Sequence, residues 1–125
     1  MTHKPTFVLV GHCWADRMGL RSAVKRAVQG AHIERAEDLS ALRSHLGSGA
    51  VLLINRVLGG GFETDSGVEL IRLLAETGDA DSAILITNYP DAQDEAVAAG
   101  AQPGFGKSQL RDPATEQLLR RAAAL

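Results

Sequence analysis

The stretch Ala50–Leu70, AVLLINRVLGGGFETDSGVEL, constrains the fold of this chain more than any other. Ala50, Val51, Leu52, Leu53 and Ile54 form an unbroken apolar run bounded by Gly49 and the polar Asn55. A strand with no polar alternation has no solvent-facing side, so the run predicts a central parallel strand covered on both faces. Its carboxyl end, at Asn55, is where open α/β sheets place their ligand crevice. Three glycines follow, Gly59, Gly60 and Gly61, a backbone that bends at little steric cost and is expected to be a flexible loop. Thr64, Asp65 and Ser66 precede a helical pattern, with Ser66 and Glu69 at capping-box spacing.

Around this unit the chain alternates strand and helix. Thr6–Val10 is a β-branched apolar run ending at Gly11 and His12. Asp16 is positioned to cap a helix whose stripe is Leu20, Ala23, Val24, Ala27 and Val28, stopping at Gly30. Ala31–Ala36 is a weaker second strand, and Asp38 opens a short helix carrying Leu39, Leu42 and Leu46. The third helix presents Val68, Leu70, Ile71, Leu74 and Ala75. Ala83–Ile86 repeats the fully apolar strand pattern and ends at Thr87 and Asn88, after which Asp91 is placed to cap an alanine-rich helix running to Gly100. Gln102–Gly106 must supply the fifth strand. Pro103, Gly104 and Gly106 interrupt it, which predicts an edge position. Asp112 and Pro113 read as the N-cap and first residue of a last helix lined by Ala114, Leu118, Ala122 and Leu125. Five strands and five helices in alternation predict an α/β doubly wound, flavodoxin-like sheet of order 2-1-3-4-5.

The 125 residues fit one domain, residues 1–125, with one core. The charges, 13 basic and 15 acidic, are interspersed, so no polybasic stripe points to nucleic acid or anionic lipid. One cysteine, Cys13, forms no intrachain disulfide. The amino-terminal apolar stretch is too short for a signal peptide, and no run approaches membrane-spanning length; the expectation is a soluble, cytoplasmic chain.

The order of elements, VLLIN ending strand three, SGVELIRLL opening helix three, ILIT ending strand four and AAGAQPGFGK leading to Lys107 together resemble the receiver domain of two-component response regulators, over essentially the whole length. In that family strand three ends on a phosphoacceptor aspartate and strand one on two acidic residues. Strand four ends on Ser or Thr, and strand five on Lys. Thr87 and Lys107 match these last two. The phosphoacceptor position falls on Asn55 and the acidic pair on Gly11 and His12. A neutral amide is a poor nucleophile, and loss of the acidic pair removes the hard oxygens that Mg²⁺ prefers. The resemblance therefore implies a pseudo-receiver: a phosphorelay-type fold with no catalysis, cofactor or metal, acting through protein partners. The face made by helix four, strand five and helix five is the surface receivers commonly use for docking or self-association. Ser108 replaces the proline common after the lysine, and the loop after Asn55 is longer than the family norm. The family's aromatic switch position falls on Gly104, with Phe105 one residue later, so strand alternation turns that ring to the other side.

At the degenerate pocket, Asn55 reads either as a remnant acceptor or as a polar strand cap bonded to the glycine loop. Thr87, Lys107 and that loop form an alternative, a sensor site for an anion or small ligand. Without its aspartate the lysine is otherwise expected to pair with Asn55 or to point to solvent. His12 and Cys13 pair an imidazole with a thiol at the crevice, but His3, His32 and His45 show no ligand spacing to them, and a metal or redox role is not expected. Asp16, Glu63 and Asp65 are read as loop or helix-start residues rather than replacement metal ligands. Trp14 is either an exposed partner anchor or a cover for the core, and Phe105 is grouped with it as a candidate partner contact. Arg120 and Arg121 read as a solvated face favouring the dipole of the last helix.

Overall fold

A computed structural model describes residues 4–124. Five strands, β1 (Thr6–Val10), β2 (His32–Ala36), β3 (Val51–Asn55), β4 (Ala83–Ile86) and β5 (Gln102–Phe105), form one parallel sheet in the order 2-1-3-4-5. Between them run α1 (Trp14–Ala27), α2 (Leu39–Arg43), α3 (Gly67–Ala75) and α4 (Pro90–Ala98), and α5 (Pro113–Ala124) closes the chain. The expected fold class and order are those observed. Alternation along the central strands explains why their sequences are apolar throughout. Val8, Val10, Leu52, Ile54 and Leu85 pack with α2, α3 and α4, while Phe7, Leu9, Val51, Leu53, Ile84 and Ile86 pack with α1 and α5.

The helix starts show which polar residues the backbone recruits. The Asp38 carboxylate accepts from the Ala41 amide at 2.8 Å, and the Ser66 hydroxyl accepts from the Glu69 amide at 3.2 Å, so both predicted caps form. The Glu69 carboxylate does not return to the Ser66 amide; it pairs with Arg72, and the Ser66 amide donates to Thr64 Oγ1. Two expected caps are replaced. α1 begins at Trp14 behind Cys13, leaving Asp16 in the first turn. α4 begins with Pro90 as its first residue behind Tyr89, because the proline ring fixes the helical φ there, and Asp91 falls inside the helix.

Three packing expectations also change. Ala75 is exposed at the end of α3. On α5 the fully buried positions are Thr115 and Leu119, one residue on from the predicted Ala114 and Leu118; Leu118 and Ala122 are half-buried, Ala114 is exposed, and Leu125 lies outside the described residues. Thr115 is tolerated inside because its hydroxyl donates to the Gln109 carbonyl at 2.7 Å. Arg120 is not merely solvated: its Nε donates to the Ala27 carbonyl at 2.8 Å, serving the frayed end of α1.

The loop joining β3 to α3 differs most from expectation. Leu58 and Phe62 are buried on either side of the three glycines and join the core beneath α2 and α3. The loop backbone is fastened by Leu39 N–H to Gly61 O (2.8 Å), Leu58 N–H to Asp65 O (2.8 Å) and Gly67 N–H to Arg56 O (2.7 Å). Only Gly59 and Gly60 stand at an open tip. The loop is an anchored hydrophobic cap, not a free ribbon. At the other edge, β5 pairs only with β4, as its proline and glycines predicted. Gln102 lies opposite Ile84 and Phe105 opposite Ile86, so β5 carries one extra residue as a bulge.

If the cap is part of the core, Phe62→Ala will lower the unfolding free energy by about 3 kcal/mol in urea denaturation, the usual cost of deleting a buried ring. A loss below about 1 kcal/mol, the scale of a surface change, would mean that the loop is not packed.

Candidate functional site

The carboxyl ends of the strands gather Gly11 and His12 after β1, Asn55 at the end of β3, Thr87 after β4 and Lys107 after β5, as the topology requires. Each of the five is committed to an internal contact. Asn55 Nδ2 donates to the Gly11 carbonyl at 3.1 Å and to the Val57 carbonyl at 2.8 Å, tying β3 to the end of β1 and to the capping loop. This is the strand-cap role. Gly11 adopts φ +72°, a region that disfavours side chains, and a Cβ there would lie 2.6 Å from Leu58 Cδ2. An aliphatic side chain thus fills the space into which a residue at position 11 would project.

His12 is buried, with 2% of its surface accessible. Its Nε2 donates to the Leu53 carbonyl at 2.8 Å, while Nδ1 finds no partner among the described residues. Burial holds its pKa down at about 4, against the opposing pull of the Leu53 hydrogen bond, with Lys107 and Arg17 adding to the depression. The imidazole is neutral at pH 7. The neighbouring Cys13 is exposed, and no group of three or more His, Cys, Asp or Glu among the described residues is arranged to hold a metal ion.

Lys107 neither pairs with Asn55 nor points freely to solvent. Its Nζ donates to Asp16 Oδ2 at 2.7 Å, a contact linking the end of β5 to the first turn of α1. The bond to Lys107 lowers the Asp16 pKa, with a smaller contribution from Cys13 and partial burial opposing. Thr87 is buried; its Oγ1 accepts from the Tyr89 amide at 3.2 Å and its own amide donates to the Phe105 carbonyl at 3.0 Å. Divalent-cation chemistry at this position needs several hard anionic oxygens. Gly11, His12 and Asn55 offer none, and the nearby carboxylates Asp16 and Glu37 are held by Lys107 and Arg17. The residues do not fit Mg²⁺.

Beside the pocket, α4 and β5 are stapled by a residue that sequence reasoning passed over. The Gln93 Nε2 donates to the Leu85 carbonyl at 2.8 Å, with the Phe105 and Thr87 carbonyls at 3.2 and 3.3 Å. A Cβ on Gly104 would fall 2.5 Å from Gln93 Oε1 and 2.2 Å from the Leu85 carbonyl, so the bulge in β5 leaves room for the amide and for no side chain. Phe105 points the other way, as strand alternation requires. It is buried at 3% exposure among Phe7, Leu53, Ile86 and Leu119, which removes it as a partner contact. Trp14 is 68% exposed at the start of α1, resolving its two readings in favour of the surface.

His12 makes the site pH-sensitive in a definite direction. Its folded pKa lies below the unfolded value, so its contribution is complete above pH 6.5 and is lost as pH falls toward about 4. The loss amounts to about 3 kcal/mol by linkage. Urea unfolding at pH 7 and pH 4.5 will show a steeper loss in the wild type than in His12→Asn, which lacks the titrating ring. Equal slopes in the two proteins would contradict a buried neutral imidazole.

No protein-family model matches this chain, and no curated protein matches it. Solved structures do. The signal receiver domain of a DNA-binding response regulator (merR) from Colwellia psychrerythraea 34H superposes with a TM-score of 0.73 at 17% identity, covering 98% of this chain and 100% of that domain. A response regulator receiver protein from Pseudoalteromonas atlantica gives 0.65 at 21% identity, over 96% and 94% of the two chains. The beryllofluoride-activated NtrC4 receiver domain dimer gives 0.68 at 17% identity, over 95% and 96%. At these identities the likeness establishes the fold: this chain has the receiver architecture of response regulators.

Proposed function

We propose that this chain is a pseudo-receiver, a signalling module of two-component, phosphorelay type that has kept the receiver architecture, accepts no phosphoryl group and acts through protein contacts. The observation that carries the reading is the pairing of Asn55 with Gly11 under Leu58. The position from which a receiver's aspartate would attack phosphorus holds a carboxamide whose N–H groups are both spent on backbone carbonyls. A carboxamide oxygen lacks the charge and basicity of the carboxylates that form acyl phosphates. Phosphoryl transfer also relies on a metal and on free cationic groups to neutralise developing charge. Here the metal ligands are absent, and the lysine's charge is matched by Asp16.

The same ion pair weakens the alternative of an anion sensor built on Thr87, Lys107 and the glycine loop. Its cation is occupied and its loop is anchored. The face of α4, β5 and α5 remains the surface for a protein partner or a second copy in this reading. Gln93 supports it by holding α4 and β5 in one arrangement that no phosphorylation event is needed to select. The similar NtrC4 receiver domain is a dimer in its beryllofluoride-activated form. The interspersed charges suit a protein partner rather than nucleic acid, and no described helix is long and apolar enough to cross a membrane. The reading includes no enzymatic step and no cofactor, and it locates the chain in the cytoplasm.

Incubation of the chain with acetyl phosphate or phosphoramidate and Mg²⁺, followed by intact-protein mass spectrometry, tests the proposal. The expected mass is unchanged, while a canonical receiver treated in parallel gains a phosphoryl group. A stoichiometric gain on this chain would overturn the reading.

A further inference from the structure

Two grooves on opposite faces of the sheet carry opposite charge. The first lies between the loop after β3 and the starts of α3 and α4, with a volume of about 440 Å³. Asp65, Glu69, Asp91 and Glu95 line it against a single cation, Arg56, whose guanidinium sits 4.6 Å from the centre of the Tyr89 ring. Val57 and Tyr89 stand more than half exposed at its rim. The second groove, about 370 Å³, lies between α1 and β2. Arg17, Arg21 and Arg35 line it against a single carboxylate, Glu34, over a floor of Leu9 and Ile33. Trp14 and Met18, one helical turn apart, are exposed along its wall.

Each set of charges is only partly consumed internally. Among the described residues Arg21, Arg35, Asp65, Asp91 and Glu95 form no ion pair, whereas Arg17 is matched by Glu37 and Glu69 by Arg72. An exposed tryptophan with arginines, facing an exposed tyrosine with carboxylates, is the residue chemistry that dominates protein interfaces. The charges are opposite, and the basic side presents the exposed Trp14 and Met18 as apolar groups for the acidic groove to take in.

We propose that the acidic groove at α3 and α4 of one copy receives the exposed Trp14 and Met18 of the basic surface at α1 and β2 of the next, so that copies associate head to tail. α1 covers the face of the sheet carrying Phe7 and Leu9, and α3 and α4 cover the other, so the contact joins unlike surfaces. Each added copy leaves one groove of each sign free at the ends, and the assembly grows rather than stopping as a pair. This arrangement differs from pairing through α4, β5 and α5, in which like surfaces meet and two copies close the assembly. It does not depend on whether Asn55 accepts phosphorus.

Sedimentation velocity with light scattering on the purified chain at rising concentration distinguishes the arrangements. At low salt the average mass of the wild type is expected to pass beyond that of two chains. Neutralising exposed charges in one groove at a time, as Arg21→Gln with Arg35→Gln or Asp65→Asn with Glu95→Gln, is expected to weaken self-association at least about tenfold in each variant alone. Mixed in equal amounts, the two variants still share one intact groove of each sign, so they are expected to form a two-chain species and nothing larger. A wild type that stays a single chain, a mass that stops at two chains, or a mixture that does not associate would overturn the proposal, and none of these would touch the phosphoryl reading. Far-UV circular dichroism checks that the variants fold. Independently of them, raising salt from about 50 mM to about 500 mM must dissociate the wild-type assembly, because screening shortens to a few ångströms over that range. Association indifferent to salt would equally overturn it.

Discussion

Leu58 resting against Gly11 governs the upper end of this sheet. The left-handed φ of Gly11 turns the chain out of β1 and leaves a space that no side chain of its own occupies. Leu58 enters it from the loop after β3, and Phe62 follows on the far side of the glycines. Once that apolar plug is seated, the Gly11 carbonyl needs a donor, and Asn55 supplies one hydrogen bond there and another to Val57. A part-buried carbonyl left without a donor is costly, so the asparagine amide serves packing here. In this receiver architecture the carboxyl end of β1 is thus packed against aliphatic and aromatic side chains of the loop after β3.

The remaining polar groups are each held by an internal contact. His12 is buried, so it stays neutral and spends its single N–H on Leu53. Lys107, at the end of β5, finds the first carboxylate within reach, Asp16, and the pair fastens α1 to the opposite end of the chain. This pair is part-exposed, so it fixes geometry more than it adds stability. On the other flank the bulge in β5 breaks the ladder beside Leu85, and the Gln93 amide provides the donor that the strand does not.

Much of the fold was legible from residues alone because the signals were local. The apolar runs at Val51–Ile54 and Ala83–Ile86, the caps Asp38 and Ser66, and the proline and glycines of β5 each act within a few residues of themselves. What the sequence hid were contacts made at a distance. Lys107 and Asp16 are 91 residues apart, and no spacing rule joins them. Leu58 and Phe62 flank three glycines, and the glycines suggested a mobile loop although two large apolar residues four apart signalled burial. Gln93 sits in a helix with little apolar face, and only the missing side chain at Gly104 hinted that something else fills that space. On α5, a threonine with a satisfied hydroxyl displaced the predicted stripe by one residue.

The central proposal is that the surroundings of position 55, and not the amide there alone, disfavour phosphoryl chemistry. Asn55→Asp restores the carboxylate but removes the two N–H donors to the Gly11 and Val57 carbonyls, so far-UV circular dichroism first checks that the variant folds. Intact-mass measurement of that variant with acetyl phosphate and Mg²⁺ addresses the claim directly. The account predicts no phosphoryl group at position 55, because neither metal ligands nor a free lysine are there to balance the developing charge. Accumulation of the acyl phosphate in that single variant would contradict it.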